Sequence, residues 1–119
     1  MIISLILASA LNATNAFAYE VCLKRADRHP DEALEMAQNA LVDGFDPFAE
    51  HCAAVALVGL KQYNEAGRRL DALARKGSAG DAEMRSEIMD QAGNAWLLAG
   101  QPELATASFT AAIALSTSA

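Results

Sequence analysis

Two cysteines, Cys22 and Cys52, and two histidines, His29 and His51, are all the thiol and imidazole groups in this chain, so metal or redox chemistry built on such groups must use these four. Their spacing serves neither purpose well. Cys22 and Cys52 stand too far apart in sequence for the CxxC arrangement that activates a thiol for exchange. A site built from all four would need His51 and Cys52 to reach one ion from consecutive helix positions, whose side chains diverge by about a hundred degrees. His29 beside Pro30 reads as a turn residue, and both histidines are expected to be partly exposed and uncoordinated. An even cysteine count in an oxidising compartment points instead to a disulfide; the alternative is two buried free thiols acting as small apolar groups.

Carboxylate pairs offer acid–base chemistry no better. Asp31 and Glu32 are adjacent, and Glu83 and Glu87 share a helix face at i, i+4, where like charges are mildly unfavourable and mark a solvated surface. No nucleophile stands with a readable base and orienting group. GxxxxGK[ST], HExxH, an EF-hand loop and paired CxxC are all absent from the sequence. The expectation is a protein with no catalytic residues, no metal ligands and no cofactor.

The elements that would hold these residues are helices. A 119-residue chain is one domain's worth, and 53% hydrophobic with only 6% aromatic suits an Ala-rich helical stack. Fifteen acidic against nine basic residues give a net charge of −6, which repels nucleic-acid backbones and anionic lipid, so no nucleic-acid partner is expected. Residues 1–18 carry no charged side chain: an apolar run from Ile2 to Leu11, then a polar stretch, then Ala16-Phe17-Ala18. That pattern reads as a secretory leader cleaved before Tyr19, too short for a stable membrane span, and it places the chain in the periplasm or outside the cell. The leader lacks the usual Lys or Arg near its start, and the competing reading makes residues 2–18 an apolar first helix. Pro30, Pro47 and Pro102 sit where a helix start needs no N–H, and Gly44 and the run Gly77-Ser78-Ala79-Gly80 are the clearest breaks. The punctuation predicts helices over 19–28, 31–42, 47–59, 62–76, 81–99 and 102–115.

Within Gln91–Leu115, Gly93, Trp96, Ala105, Phe109 and Ala112 fall in one register of small and aromatic positions. The same register picks out Ala54, Leu57, Ala66 and Leu70 in a preceding unit and Ala33 and Ala37 in the first. Residues 19–119 resemble the tetratricopeptide (TPR) repeat family, and more narrowly small exported bacterial TPR proteins of unassigned role. Ala33 to Ala66 is 33 residues and Ala66 to Ala105 is 39, so GSAGDAEM reads as an insertion. Met89 and Ala92 replace the consensus Trp and Leu, Thr117 stands where Pro is usual, and Lys24 takes an aromatic position. The resemblance implies an all-α, TPR-like stack of helical hairpins, a short α-solenoid; a plain Ala-rich helical bundle is the alternative.

A TPR-like stack implies a concave groove lined by the first helix of each unit, and hence a protein or peptide partner. In the second unit the register presents His51, Val55 and Val58; in the third it presents Glu87, Asp90 and Asn94 before Leu97 and Leu98, an acidic rim leading to an apolar floor. Asn94 resembles the Asn with which clamp-type TPR domains grip a peptide, but Asp90 stands where those use Lys, so a basic or amphipathic segment fits better than a carboxylate. The alternative is that Leu97 and Leu98 finish the core. The register also puts Cys22 and Cys52 on first helices of adjacent units, which pack side by side, and so makes them a disulfide pair. From Leu104 onward no residue is charged, so the C-terminal helix is expected to be covered by a homodimer contact, a partner or further repeats of a longer chain; the alternative is that its apolar side chains all face inward. A structural role, as one segment or subunit of a longer solenoid, is the rival to peptide binding.

Overall fold

The computed structural model describes residues 17–118, and among them every regular element is helical. The elements are α1 (Tyr19–Arg28), α2 (Pro30–Leu41), α3 (Pro47–Gly59), α4 (Tyr63–Ala74), a 3-10 turn (Gly77–Ala79), α5 (Ala82–Leu98) and α6 (Pro102–Ser118). Each helix packs on the next in sequence, and α1 also lies against α3. The leader reading for residues 1–18 falls almost wholly outside the described residues; of it only Phe17 and Ala18 are seen, with Phe17 packed against the α1–α3 core.

Helix starts follow local chemistry. Asp46 caps α3 by accepting from the amides of Phe48 (2.9 Å) and Ala49 (3.2 Å), with Pro47 in the first turn, and Asp81 caps α5 by accepting from the Met84 amide (2.9 Å). Two helix ends share one design. After α3, the Gln62 amide reaches back to the Leu57 carbonyl across a left-handed Lys61 (φ 63°). After α5, Gln101 does the same to Trp96 across Gly100 (φ 75°). Lys61 therefore holds a backbone conformation that glycine adopts freely. The α4–α5 connection is secured by Arg85, whose Nε donates to the Ala74 carbonyl at 2.8 Å, while Ala79 of the 3-10 turn is buried in the core.

Two cores run through the row of helices. The fully buried part of the first is small residues from α1, α2 and α3, Cys22, Ala26, Ala33, Ala37, Cys52, Ala53 and Ala56, with Phe17, Leu23, Leu34, Met36 and Val55 packed partly buried around them. The second, spanning α3 to α6, is built on Leu57, Leu70, Leu73, Ile88 and Met89, and Leu34 touches both. Glycine sets the closest approaches. A Cβ on Gly67 of α4 would lie 2.7 Å from the Trp96 ring of α5, and one on Gly93 of α5 would lie 2.5 Å from the Phe109 ring of α6. Ala33, Ala66 and Ala105, the small positions of the sequence register, are all buried.

Candidate functional site

The second core leaves a concavity on the side where α1, α3 and α5 run beside one another. Val55 and Val58 of α3 form its centre. On one flank lie Leu23, Ala26 and Asp27 of α1, and on the other Asn94, Ala95 and Leu98 of α5, with Gln91 reaching both flanks. Leu98 is 58% exposed there, so it finishes no core and stands as apolar surface beside a polar amide.

The stripe read along α5 divides. Asn94 and Leu98 turn toward α3 and meet Val55 and Val58. Glu87 and Asp90 instead edge a separate cleft between α5 and α6, over Phe109, Ala112 and Ile113. Leu97 is 53% exposed and lines neither. At about 100° per residue Asp90 and Leu97 stand about 60° and 80° around α5 from Glu87, whereas Asn94 and Leu98 fall within about 20° of it, so Glu87 parts from Asn94 and Leu98 by its place two to three turns earlier along the helix. Gln91, three residues before Asn94 and seven before Leu98, is the groove position the register passed over.

His51 requires a correction. Expected to be partly exposed, it is buried and engaged at both ring nitrogens. Nε2 donates to Gln91 Oε1 at 2.6 Å, which leaves Nδ1 to accept from the Tyr19 hydroxyl at 2.5 Å. This neutral imidazole links the three first helices α1, α3 and α5 through side chains alone. The Tyr19 ring also packs on Phe48 at 5.0 Å between centroids. Burial lowers the His51 pKa below its ordinary 6.5, a shift partly opposed by the Gln91 hydrogen bond and the nearby Glu87 carboxylate. Burial, reinforced by the same carboxylate, raises the Tyr19 hydroxyl.

A depressed histidine pKa has a defined sign for stability. Below pH 6.5 the unfolded chain takes up a proton that the folded chain resists, so stability falls as pH drops from the ordinary value toward the folded one. Thermal melts of the chain and of His51→Gln between about pH 7 and 5 should diverge, the parent losing melting temperature more steeply. Equal slopes would show that His51 contributes nothing to the acid sensitivity.

Cys22 and Cys52 are both wholly buried, their sulfurs 1.96 Å apart and their Cα atoms 6.2 Å apart, which puts the pair at disulfide distance on adjacent first helices. His29 is exposed, away from that pair. Asp31, Glu32, Glu83 and Glu87 are all exposed carboxylates. Among the described residues no group of three His, Cys, Asp or Glu side chains is placed to hold a metal ion, and no helix is long and apolar enough to cross a membrane.

No family model, curated protein or solved structure matches this chain. Its reading rests on its own residues. The features with the most to offer a ligand are the concave floor of Val55, Val58 and Leu98, the free amide of Asn94, and the carboxylate of Asp27 at the rim.

Proposed function

We propose that the chain is an exported, TPR-like scaffold that binds a protein or peptide segment in the concavity of α1, α3 and α5, and that it works without catalytic residues or a cofactor. The observation that carries this is the exposed apolar floor around Val55, Val58 and Leu98, bordered by Asp27, Gln91 and Asn94. Apolar surface beside a few polar groups suits a side chain that must lose water and a backbone that must keep its hydrogen bonds. The Asp27 carboxylate at the rim and the net charge of −6 favour a segment with Lys or Arg beside its apolar anchors.

The repeat reading draws support from two helix ends built alike and from close helix contacts. The left-handed turn residues Lys61 and Gly100 stand in the same relation to the buried Ala66 and Ala105. The close pairs Gly67–Trp96 and Gly93–Phe109 join each helix to its neighbour at small-against-aromatic contacts. Export is supported by the uncharged apolar start and by a cysteine pair at disulfide distance.

Selection from a displayed random-peptide library tests the groove. Selected peptides should pair apolar residues with Lys or Arg. Asn94→Arg and Leu98→Glu should each weaken their binding by roughly tenfold or more, about 1.4 kcal/mol, and leave the melting temperature within a few degrees of the parent. Peptides whose affinity neither substitution changes would place the binding surface elsewhere.

A further inference from the structure

Most of the chain's cations are engaged within it. Arg68 pairs with Glu65, Arg69 with Glu50 and Arg75 with Asp71, while Arg85 binds the end of α4 and Lys76 lies over the Phe45 ring. Lys24 and Arg28 differ, as does Lys61 at the turn after α3. Lys24 and Arg28 stand one turn apart on α1 and make no ion pair among the described residues. With Arg25, His29 and Glu32 they border a shallow cleft at the α1–α2 end, alongside Val21, which is 51% exposed. Arg25 reaches Glu32 at 3.3 Å, so the cleft keeps an excess of positive charge.

The other end is its counterpart. Glu87 and Asp90 also make no ion pair among the described residues, and they border the α5–α6 cleft floored by Phe109 and Ile113. Ile113 is 65% exposed, and α6 offers no charge after Glu103. Among the described helices the α1–α2 and α5–α6 pairs do not pack on each other and lie at opposite ends of the packing order.

We infer that these two ends are the halves of a head-to-tail contact between copies of this chain, with Val21, Lys24 and Arg28 of one copy seated on Glu87, Asp90 and the apolar α5–α6 cleft of the next. Copies carrying −6 repel one another on average, so association needs a local reversal of sign. The α1 end supplies Lys24 and Arg28 one turn apart, with Arg25 tied to Glu32, beside the exposed apolar side chain that the α5–α6 floor can cover. Unlike ends make the contact heterologous, so it propagates in rows or closes into a ring. The groove residues Asp27, Val55, Val58, Asn94 and Leu98 take no part, so the inference is tested separately from the peptide-binding reading.

Sedimentation velocity of the purified protein over a concentration series tests it, with the salt raised from about 0.05 to 0.5 M to shorten the screening length. The expected result is self-association that weakens roughly tenfold across that range. Lys24→Glu/Arg28→Glu and Glu87→Lys/Asp90→Lys should each be monomeric alone, because each now sets like charge against like. Mixed in equal amounts they should associate, since each variant's reversed end now fits an end of the other. Asp90→Lys alone replaces the second pair if circular dichroism shows that pair unfolded. The inference is overturned if the parent stays monomeric at low salt, if the reversed variants associate as the parent does, or if the mixture remains monomeric. A symmetric dimer through Ile113, abolished by Ile113→Glu and indifferent to Lys24→Glu/Arg28→Glu, would overturn it equally.

Discussion

Truncating Trp96 to alanine is expected to lower the unfolding free energy by about 3 to 5 kcal/mol, a large share of what a domain of this size has. Trp96 is 9% exposed, and its large aromatic ring joins α5 to α4. Its ring lies over Gly67, in the middle of α4, where glycine costs about 1 kcal/mol relative to alanine. That cost follows from the contact, because a Cβ there would meet Trp96 Cδ2 at 2.7 Å and Cε2 at 2.9 Å. Gly67→Ala alone therefore sets about 1 kcal/mol of helix gain against about 1 to 3 kcal/mol of overpacking and should destabilise. In the Trp96→Leu background the ring is gone and the same substitution should stabilise. A change of sign distinguishes a steric contact from general loss of core, and a double-mutant cycle by urea unfolding reads it directly. Trp96 Nε1 is buried with no hydrogen-bond partner among the described residues, so Trp96→Phe removes an unsatisfied donor and should cost less than truncation. If Trp96→Ala unfolds at the parent's urea midpoint, the α4–α5 contact carries no appreciable stability.

The helices were legible in the sequence because their signals are local. Pro30, Pro47 and Pro102, with Asp46 and Asp81 just before first turns, act within one turn of where they stand, and the observed starts fall within one residue of those expected. The buried small positions Ala33, Ala66 and Ala105 were legible through their spacing. The C-terminal end of α6 was not, since helical geometry continues through Thr117 to Ser118, past the apolar pattern's last residue, Leu115.

Less of the candidate site could be read, for reasons of geometry. His51 looked like a groove residue because its register faces α5, and it does; what sequence spacing omits is that Tyr19 and Gln91, from two other helices, close over it. The Glu87–Leu98 stripe was read as one surface, although a helix packed between two neighbours presents it to both in turn. The α1 flank of the groove, Leu23 and Asp27, lay in the unit with the weakest consensus, where Lys24 takes the position that Leu57 and Trp96 fill elsewhere.

The α1–α3 core suggests where stability depends on covalent chemistry. Its fully buried side chains are five alanines and two cysteines, with larger ones such as Leu23, Leu34 and Met36 only partly buried around them, whereas the second core fully buries Leu70, Leu73, Ile88 and Met89. Closing the loop from Cys22 to Cys52, a separation of 30 residues, removes chain entropy from the unfolded state worth roughly 3 to 4 kcal/mol. A tie of that size, in a core that small, should decide whether α1 and α2 stay docked. Cys22→Ala/Cys52→Ala is therefore expected to lose about 2 to 4 kcal/mol, and to lose it unevenly. Amide exchange should accelerate first in α1 and α2, while α4, α5 and α6 keep their protection, because Leu57 and the contacts of Trp96 and Phe109 do not depend on the bridge. Reduction of the parent should reproduce the pattern once the buried sulfurs become accessible by local opening. Thiol titration under denaturing conditions, on protein taken directly from its native compartment, supplies the independent check. Two titratable thiols there, or a melting temperature indifferent to reductant, would mean that the small-residue core holds α1 and α2 without a covalent tie.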